Sequence, residues 1–544
     1  MHRRGGRMVY EPYYEYFESR GFSFDRALLT TYCLSLNTKP FVILSGISGT
    51  GKTKIAQLFN VPAAAALPKV KPVTHAPPPT GKWIIMTVTE GVTTGDGRAN
   101  FRYSDLDALL NPTEIAALQP RIEQLKISGA DDNICEPFDF TIDTVDSQTL
   151  KAKAYLQRAR SPLLRVRFKS KQGEPVYDST AYFAKNYPVG TVLKLEKVAD
   201  KRLRIASVND EVVVQKANEI EYEEMAQVKN TCFISVRSDW TDAASLFGYY
   251  NLVDQRYHLT PALAFILAAK EHPQIPFFLI LDEMNLAKVE HYFSDFLSCL
   301  ESRYLDAGTL RQEPIHLHSN SGWINTNNEY FDLIAPTLEL PPNLFVTGTV
   351  NIDESTYMFS PKVLDRANVI ELNEVDIHAY ASEGGSATPS AVVLKQFPNL
   401  TTLSLPQKAD FEACPQHPKT FLTAVHSILA KHQLHFGYRV INEISRYVLN
   451  AQTFCEPHPE LIDEALDWQM VQKVLPKFNG AQSKLDAPVR ELLTFLRDGV
   501  AGPAMELDAV SDLDPKTTKY PRAAAKLKRM SLALTINGFA NFIE

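Results

Sequence analysis

A chain of 544 residues, 45% hydrophobic and 22% charged, is too long for a single hydrophobic core and is expected to fold as about two to four soluble domains. A net charge of −7 argues against blanket coating of nucleic acid, though not against a local basic groove. No apolar run reaches the roughly 18 residues of a membrane helix. No apolar segment follows the basic start MHRRGGRMVYEPYYEYF to make it a secretory signal. The six cysteines (Cys33, Cys135, Cys232, Cys299, Cys414 and Cys455) form no CxxC pair, so a reduced, cytoplasmic protein without membrane association is expected.

Apolar and aromatic positions recur at helical spacing from Tyr13 to Leu36 and predict a helical lead-in. FVILSG (41–46) is a short apolar run of the kind buried on both faces of a parallel sheet, and KTKIAQLF (52–59) returns to helical spacing. The proline-rich stretch 67–82 reads as a linker. From Trp83 to about Val214, alternating segments such as KWIIMTVTE, FDFTIDTV, LLRVRFKS, TVLKLEKV and RLRIASV predict a mostly-β unit interrupting the first one. Buried-strand runs then resume at CFISVR, FFLILDE, LFVTGTV and NVIEL, with helical segments between them. Beyond about residue 375 the pattern is mainly helical. The expected domains are therefore 1–64, 65–228, 229–376 and 377–544.

Gly46-Ile47-Ser48-Gly49-Thr50-Gly51-Lys52-Thr53 fits G-x-x-x-x-G-K-[ST], with a strand before it and a helix after it. The glycines let backbone N–H groups turn inward onto phosphate oxygens, and the helix N-terminus adds positive potential. Lys52 suits the β- and γ-phosphates, and Thr53 suits magnesium. LILDEMN (279–285) delivers Asp282 and Glu283 to the carboxyl end of a strand, where open α/β sheets bind ligands. Asp282 suits the magnesium shell and Glu283 the role of base toward water.

Together with SVRSDWTDAASLFGYYN, NLFVTGTVNIDESTYMFSPKVLDRANVIEL and FGYRVINEI, these segments resemble the AAA+ superfamily over roughly half the chain, and within it the McrB-like motor subunits of modification-dependent restriction systems. The resemblance implies an α/β fold: a P-loop NTPase core with a parallel sheet flanked by helices and a C-terminal helical lid; the mostly-β domain inserted in that core lies outside the resemblance. It implies hydrolysis of ATP or GTP with Mg2+, a homo-hexameric ring and a separate nuclease subunit. By the same resemblance Asn351 matches sensor 1, Arg366 an arginine finger entering the neighbouring subunit, and Arg439 sensor 2. McrB-like proteins often read MNTADRS where this chain has VNIDEST, which keeps the asparagine but not the local arginine. A MoxR- or dynein-related ATPase remodelling protein complexes is the alternative, and a nucleotide-dependent assembly switch is a third.

Three other segments hold candidate functions. Alternation in LLRVRFKS places Arg165, Arg167 and Lys169 on one strand face, near Arg158, Arg160, Lys171, Tyr155 and Phe168, which suits either DNA or a solvated face. Trp240, Phe247, Tyr249 and Tyr250 suit a hydrophobic seam or a pore. Near the C-terminus, Arg522, Lys526, Lys528 and Arg529 suit a solvated helix face or a contact with nucleotide, DNA or a partner.

Overall fold

The computed structural model describes residues 2–4, 7–22, 24–65, 83–93, 97–102, 106–118, 120, 137–158, 162–170, 175–209, 229–306, 309–320, 322, 324–328, 331, 333–352, 357–373, 392–403 and 405–543. The lead-in is two helices, α1 (Glu11–Glu18) and α2 (Arg26–Thr38), the second capped by Asp25, whose carboxylate accepts from Ala27 N at 3.1 Å. Strand β1 (Phe41–Gly46) is buried at all six positions and leads through the glycine-rich loop into α3 (Lys52–Ala65).

A seven-stranded sheet follows. Its strands are β2 (Trp83–Thr87), β3 (Arg98–Arg102), β4 (Phe138–Asp143), β5 (Thr149–Arg158), β6 (Pro162–Arg167), β7 (Val192–Ala199) and β8 (Arg202–Val208), with a helix, α4 (Thr180–Asn186), between β6 and β7. The spatial order is β2-β7-β8-β4-β5-β6-β3, antiparallel except for the β4–β8 pair. Phe140, Leu156, Leu164, Val166, Phe183 and Leu203 belong to a core of its own, separate from that of the rest of the chain. Two of these strands, β3 and the long β5, are absent from the sequence expectation: RANFR and TLKAKAYLQR carry too many charges and small residues to read as strands. The expected linker 67–82 lies outside the described residues.

Strands β9 (Thr231–Ser235), β10 (Phe277–Asp282), β11 (Leu344–Asn351) and β12 (Asn368–Glu371) return to the first sheet, with α5 (Pro261–Glu271) and α6 (Ser294–Glu301) between them. The order is β9-β10-β11-β1-β12, all parallel. Helices flank this sheet; β1, β10, β11 and β12 are almost wholly buried, as parallel strands covered on both faces must be, whereas the edge strand β9 is partly exposed. Register sets Asn351 beside Gly46 and Leu281 beside Gly348, so three strand ends converge at one edge.

Five longer helices complete the chain: α7 (Gln416–Ala430), α8 (Tyr438–Phe454), α9 (Leu461–Gln469), α10 (Gln482–Asp498) and α11 (Pro521–Asn537). The helix expected over 464–480 ends at Gln469, in a π turn (Met470–Val474) that points Lys473 inward. Lys526, expected on a solvated or partner-facing surface of α11, is buried: its ammonium lies 2.5 Å from Glu371 and also meets the Phe542 carbonyl. Among the described residues no helix is long and apolar enough to cross a membrane.

Candidate active site

The glycine-rich loop folds as it does because two of its positions reject a side chain. A Cβ on Gly46 would stand 2.3 Å from the Leu372 carbonyl oxygen at the end of β12. Gly51, at φ 87°, would place a Cβ 2.7 Å from the ring of Phe24. Lys52 begins α3, and its ammonium is turned back onto the loop, donating to Gly46 O at 2.8 Å and Ile47 O at 2.6 Å. Only 5% of Lys52 is exposed. A buried ammonium behind a glycine-rich loop at a helix N-terminus is an arrangement that can seat a phosphate.

Thr53 Oγ1 donates to Asp282 Oδ1 at 2.8 Å, across 229 residues of sequence. Thr349 Oγ1 donates to the same oxygen at 2.7 Å and accepts from Glu283 N at 3.0 Å. Asn351 Nδ2 donates to Glu283 Oε1 at 3.1 Å. Glu283 has φ 53° and ψ 49°, a left-handed conformation that costs a residue with a side chain about 1–2 kcal/mol. Its backbone bond to Thr349 and its side-chain bond to Asn351 offset that cost. A hydroxyl and a carboxylate side by side are hard oxygen donors of the kind magnesium takes, so Thr53 and Asp282 fit that ion. Magnesium bound there would neutralise phosphate charge.

Sequence reasoning missed Thr349. Its signal lay in the alternation of LFVTGTVN, where Thr347, Thr349 and Asn351 share one strand face.

The two arginines lie elsewhere. Arg366 sits just before β12, at the amino end of the sheet, and pairs with Glu301 at the end of α6. Arg439 also pairs with Glu301, and its Nη2 donates to Asp365 O at 3.4 Å. Arg439, matched to sensor 2 by the resemblance, thus meets Glu301 and Asp365 rather than the glycine-rich loop. It is tied to residues preceding β12 and, through Glu443, to Lys39 just before β1, whereas the phosphate loop is at the opposite end of that six-residue strand, roughly 20 Å away.

Behind Arg439 is a buried charge cluster with no counterpart in the sequence expectation. Glu443 is 2.6 Å from both Lys39 and Lys473. Burial pushes its pKa up, but the two ammoniums pull it further down, to about 2. Burial lowers Lys39 to about 7, against Glu443 and with the like charge of Lys473.

The basic strand face in the seven-stranded sheet is also corrected. Arg165 and Arg167 are 5% and 2% exposed. Tyr155, register-paired with Arg165, is equally buried, and the Arg167 guanidinium lies 5.6 Å from its ring centre. Lys169 pairs with Asp178 at 3.3 Å. Arg160, Lys171 and the side chain of Arg158 lie outside the described residues. In the aromatic segment, Phe247 is buried and Trp240 packs edge-on to Tyr292, while Tyr249 is 53% exposed.

A family model described as a domain of unknown function (DUF8727) matches residues 399–539, the helical C-terminal part. No curated protein matches the chain. Among solved structures, that of a candidate ATPase from Cytophaga hutchinsonii is similar at 14% identity and a TM-score of 0.24, covering 46% of this chain and 71% of that one.

Proposed function

We propose that the chain is a nucleoside triphosphatase of the AAA+ kind, hydrolysing ATP or GTP with magnesium. One observation carries the reading: Lys52, Thr53, Asp282, Glu283, Thr349 and Asn351 meet at the carboxyl ends of three parallel strands, although 229 residues separate Thr53 from Asp282. In this reading Lys52 and the loop amides hold the phosphates. Thr53 and Asp282 hold magnesium. Glu283, oriented by Asn351, polarises the attacking water. The C-terminal helices act as the lid. Arg366 precedes β12, at the end of the sheet opposite the phosphate loop of its own chain, which supports its use in a neighbouring subunit's site and hence a ring, hexameric by the resemblance.

We further propose, on the segments resembling McrB-like motors, that the ring serves a DNA restriction complex with a separate nuclease subunit. The burial of Arg165 and Arg167 removes one exposed basic face from the DNA reading; the second reading is a MoxR- or dynein-related ATPase that remodels protein complexes. The test is steady-state hydrolysis of both nucleotides, with and without DNA, by the wild type, Lys52→Ala and Glu283→Gln. The reading requires Lys52→Ala to lose binding. It requires Glu283→Gln to keep binding and lose at least about a hundredfold in rate. An unchanged rate in Glu283→Gln would remove it as the base. Stimulation by DNA selects the restriction role, and stimulation by a protein client alone selects remodelling.

A further inference from the structure

Two arginines end on one carboxylate. Glu301 meets Arg366 through Oε2 and Arg439 through Oε1. The three side chains come from three elements: the end of α6, the turn before β12 and the first turn of α8. Arg366, Arg439 and Glu301 remain 23%, 40% and 39% exposed, so a second molecule can reach them. Arg439 is itself anchored, by the Asp365 carbonyl at 3.4 Å and by Glu443 at 4.0 Å. Glu443 is already answered by Lys39 and Lys473, so it does not neutralise the outer pair.

A lone carboxylate on a finger arginine would aim the guanidinium but also cancel its charge. Sharing that carboxylate with a second arginine keeps the aim and leaves the trio net positive. A guanidinium is a planar fork, so fixing one edge directs its remaining N–H groups. We infer that Arg439 anchors Glu301 and that Glu301 aims Arg366, making both of them positioning residues for the phosphate chemistry of the neighbouring subunit. This rests on the reading of Arg366 as a group acting in trans.

The test uses mixed assemblies of full-length chains. Arg366→Ala chains lack the finger, and Glu283→Gln chains lack the base. Each alone hydrolyses slowly. Mixed, they regain activity, because Glu283→Gln chains lend Arg366 to neighbours that keep Glu283. Glu301→Gln added to the chain that lends Arg366 lowers kcat of the mixture about tenfold with KM unchanged, the cost of a misaimed group. Added to the Arg366→Ala chain, it causes no further loss. Arg439→Ala gives the same one-sided pattern. Equal loss from both placements assigns Glu301 to the fold alone and overturns the inference, as does loss from neither. A parent mixture that regains nothing overturns the trans reading of Arg366 itself, and the inference with it.

Discussion

Replacing Glu443 with glutamine tests the buried cluster that ties α8 to the amino end of the sheet. The Lys473 and Glu443 side chains are 0% and 5% exposed, and each of the two ammoniums lies 2.6 Å from a carboxylate oxygen. The two ammoniums hold the Glu443 carboxyl down at about 2, while burial lowers Lys39 to about 7, so the charges depend on one another. Removing one partner of a buried pair typically costs about 3–5 kcal/mol of stability, the loss expected here. Because the folded pKa is depressed, that stability is present above the ordinary carboxyl value and is lost as the pH falls through it toward about 2. In Glu443→Gln both lysines remain buried without an acid. Lys39, already lowered to about 7, sheds its proton more readily, so part of the loss is recovered in alkaline buffer. Denaturant titration followed by near-ultraviolet circular dichroism measures the loss. Adding Lys473→Met removes the orphaned charge with a side chain of similar length and restores part of it. A single variant as stable as the wild type, or a double variant no better than the single, would refute the reasoning.

Gly46→Ala places a methyl against the Leu372 carbonyl; it should destabilise the protein by about 1–3 kcal/mol and weaken nucleotide binding in a fluorescent-nucleotide titration, and unchanged affinity would exclude the loop as the phosphate seat. Asp467 caps α11 by accepting from Ala523 N at 2.8 Å and Arg522 N at 3.0 Å; burial raises its pKa from 3.8 to about 6, against those N–H groups and the Arg522 charge. Its stabilising contribution is thus present below the ordinary value and lost as pH rises through about 6. Asp467→Asn, which keeps an acceptor oxygen and cannot ionise, should show a melting temperature that falls less than the wild type's between about pH 5 and about pH 8; parallel curves would contradict this. Arg167→Ala should cost about 2–4 kcal/mol through lost packing on Tyr155, read as faster proteolysis within the seven-stranded sheet, while retention on DNA stays unchanged; weaker DNA retention without faster proteolysis would show that Arg167 faces a ligand.

The glycine-rich loop and the Asp282–Glu283 pair are legible because each is a local pattern: a glycine spacing before a helix, and two acids closing an apolar strand. What the sequence hides is contact across distance. Nothing near Arg439 announces that it meets Glu301, 138 residues earlier, in place of a nucleotide. Lys473 and Lys526 lie in stretches whose spacing looks amphipathic, yet a π turn and a strand-end carboxylate draw them inward. Arg165 and Arg167 fail for the converse reason. Alternation assigns them correctly to one face, but alternation does not say what covers that face.

The hydroxyl of Thr349 donates its single proton to Asp282 and takes one from the backbone of Glu283. It therefore gives two neighbouring acids, nearly identical in chemistry, separate occupations. The first accepts from Thr53 as well as from Thr349. The second accepts from Asn351. Their order along the chain thus carries information that composition does not. Exchanging them, Asp282→Glu with Glu283→Asp, would conserve charge and composition while leaving each acid at the wrong length for its work.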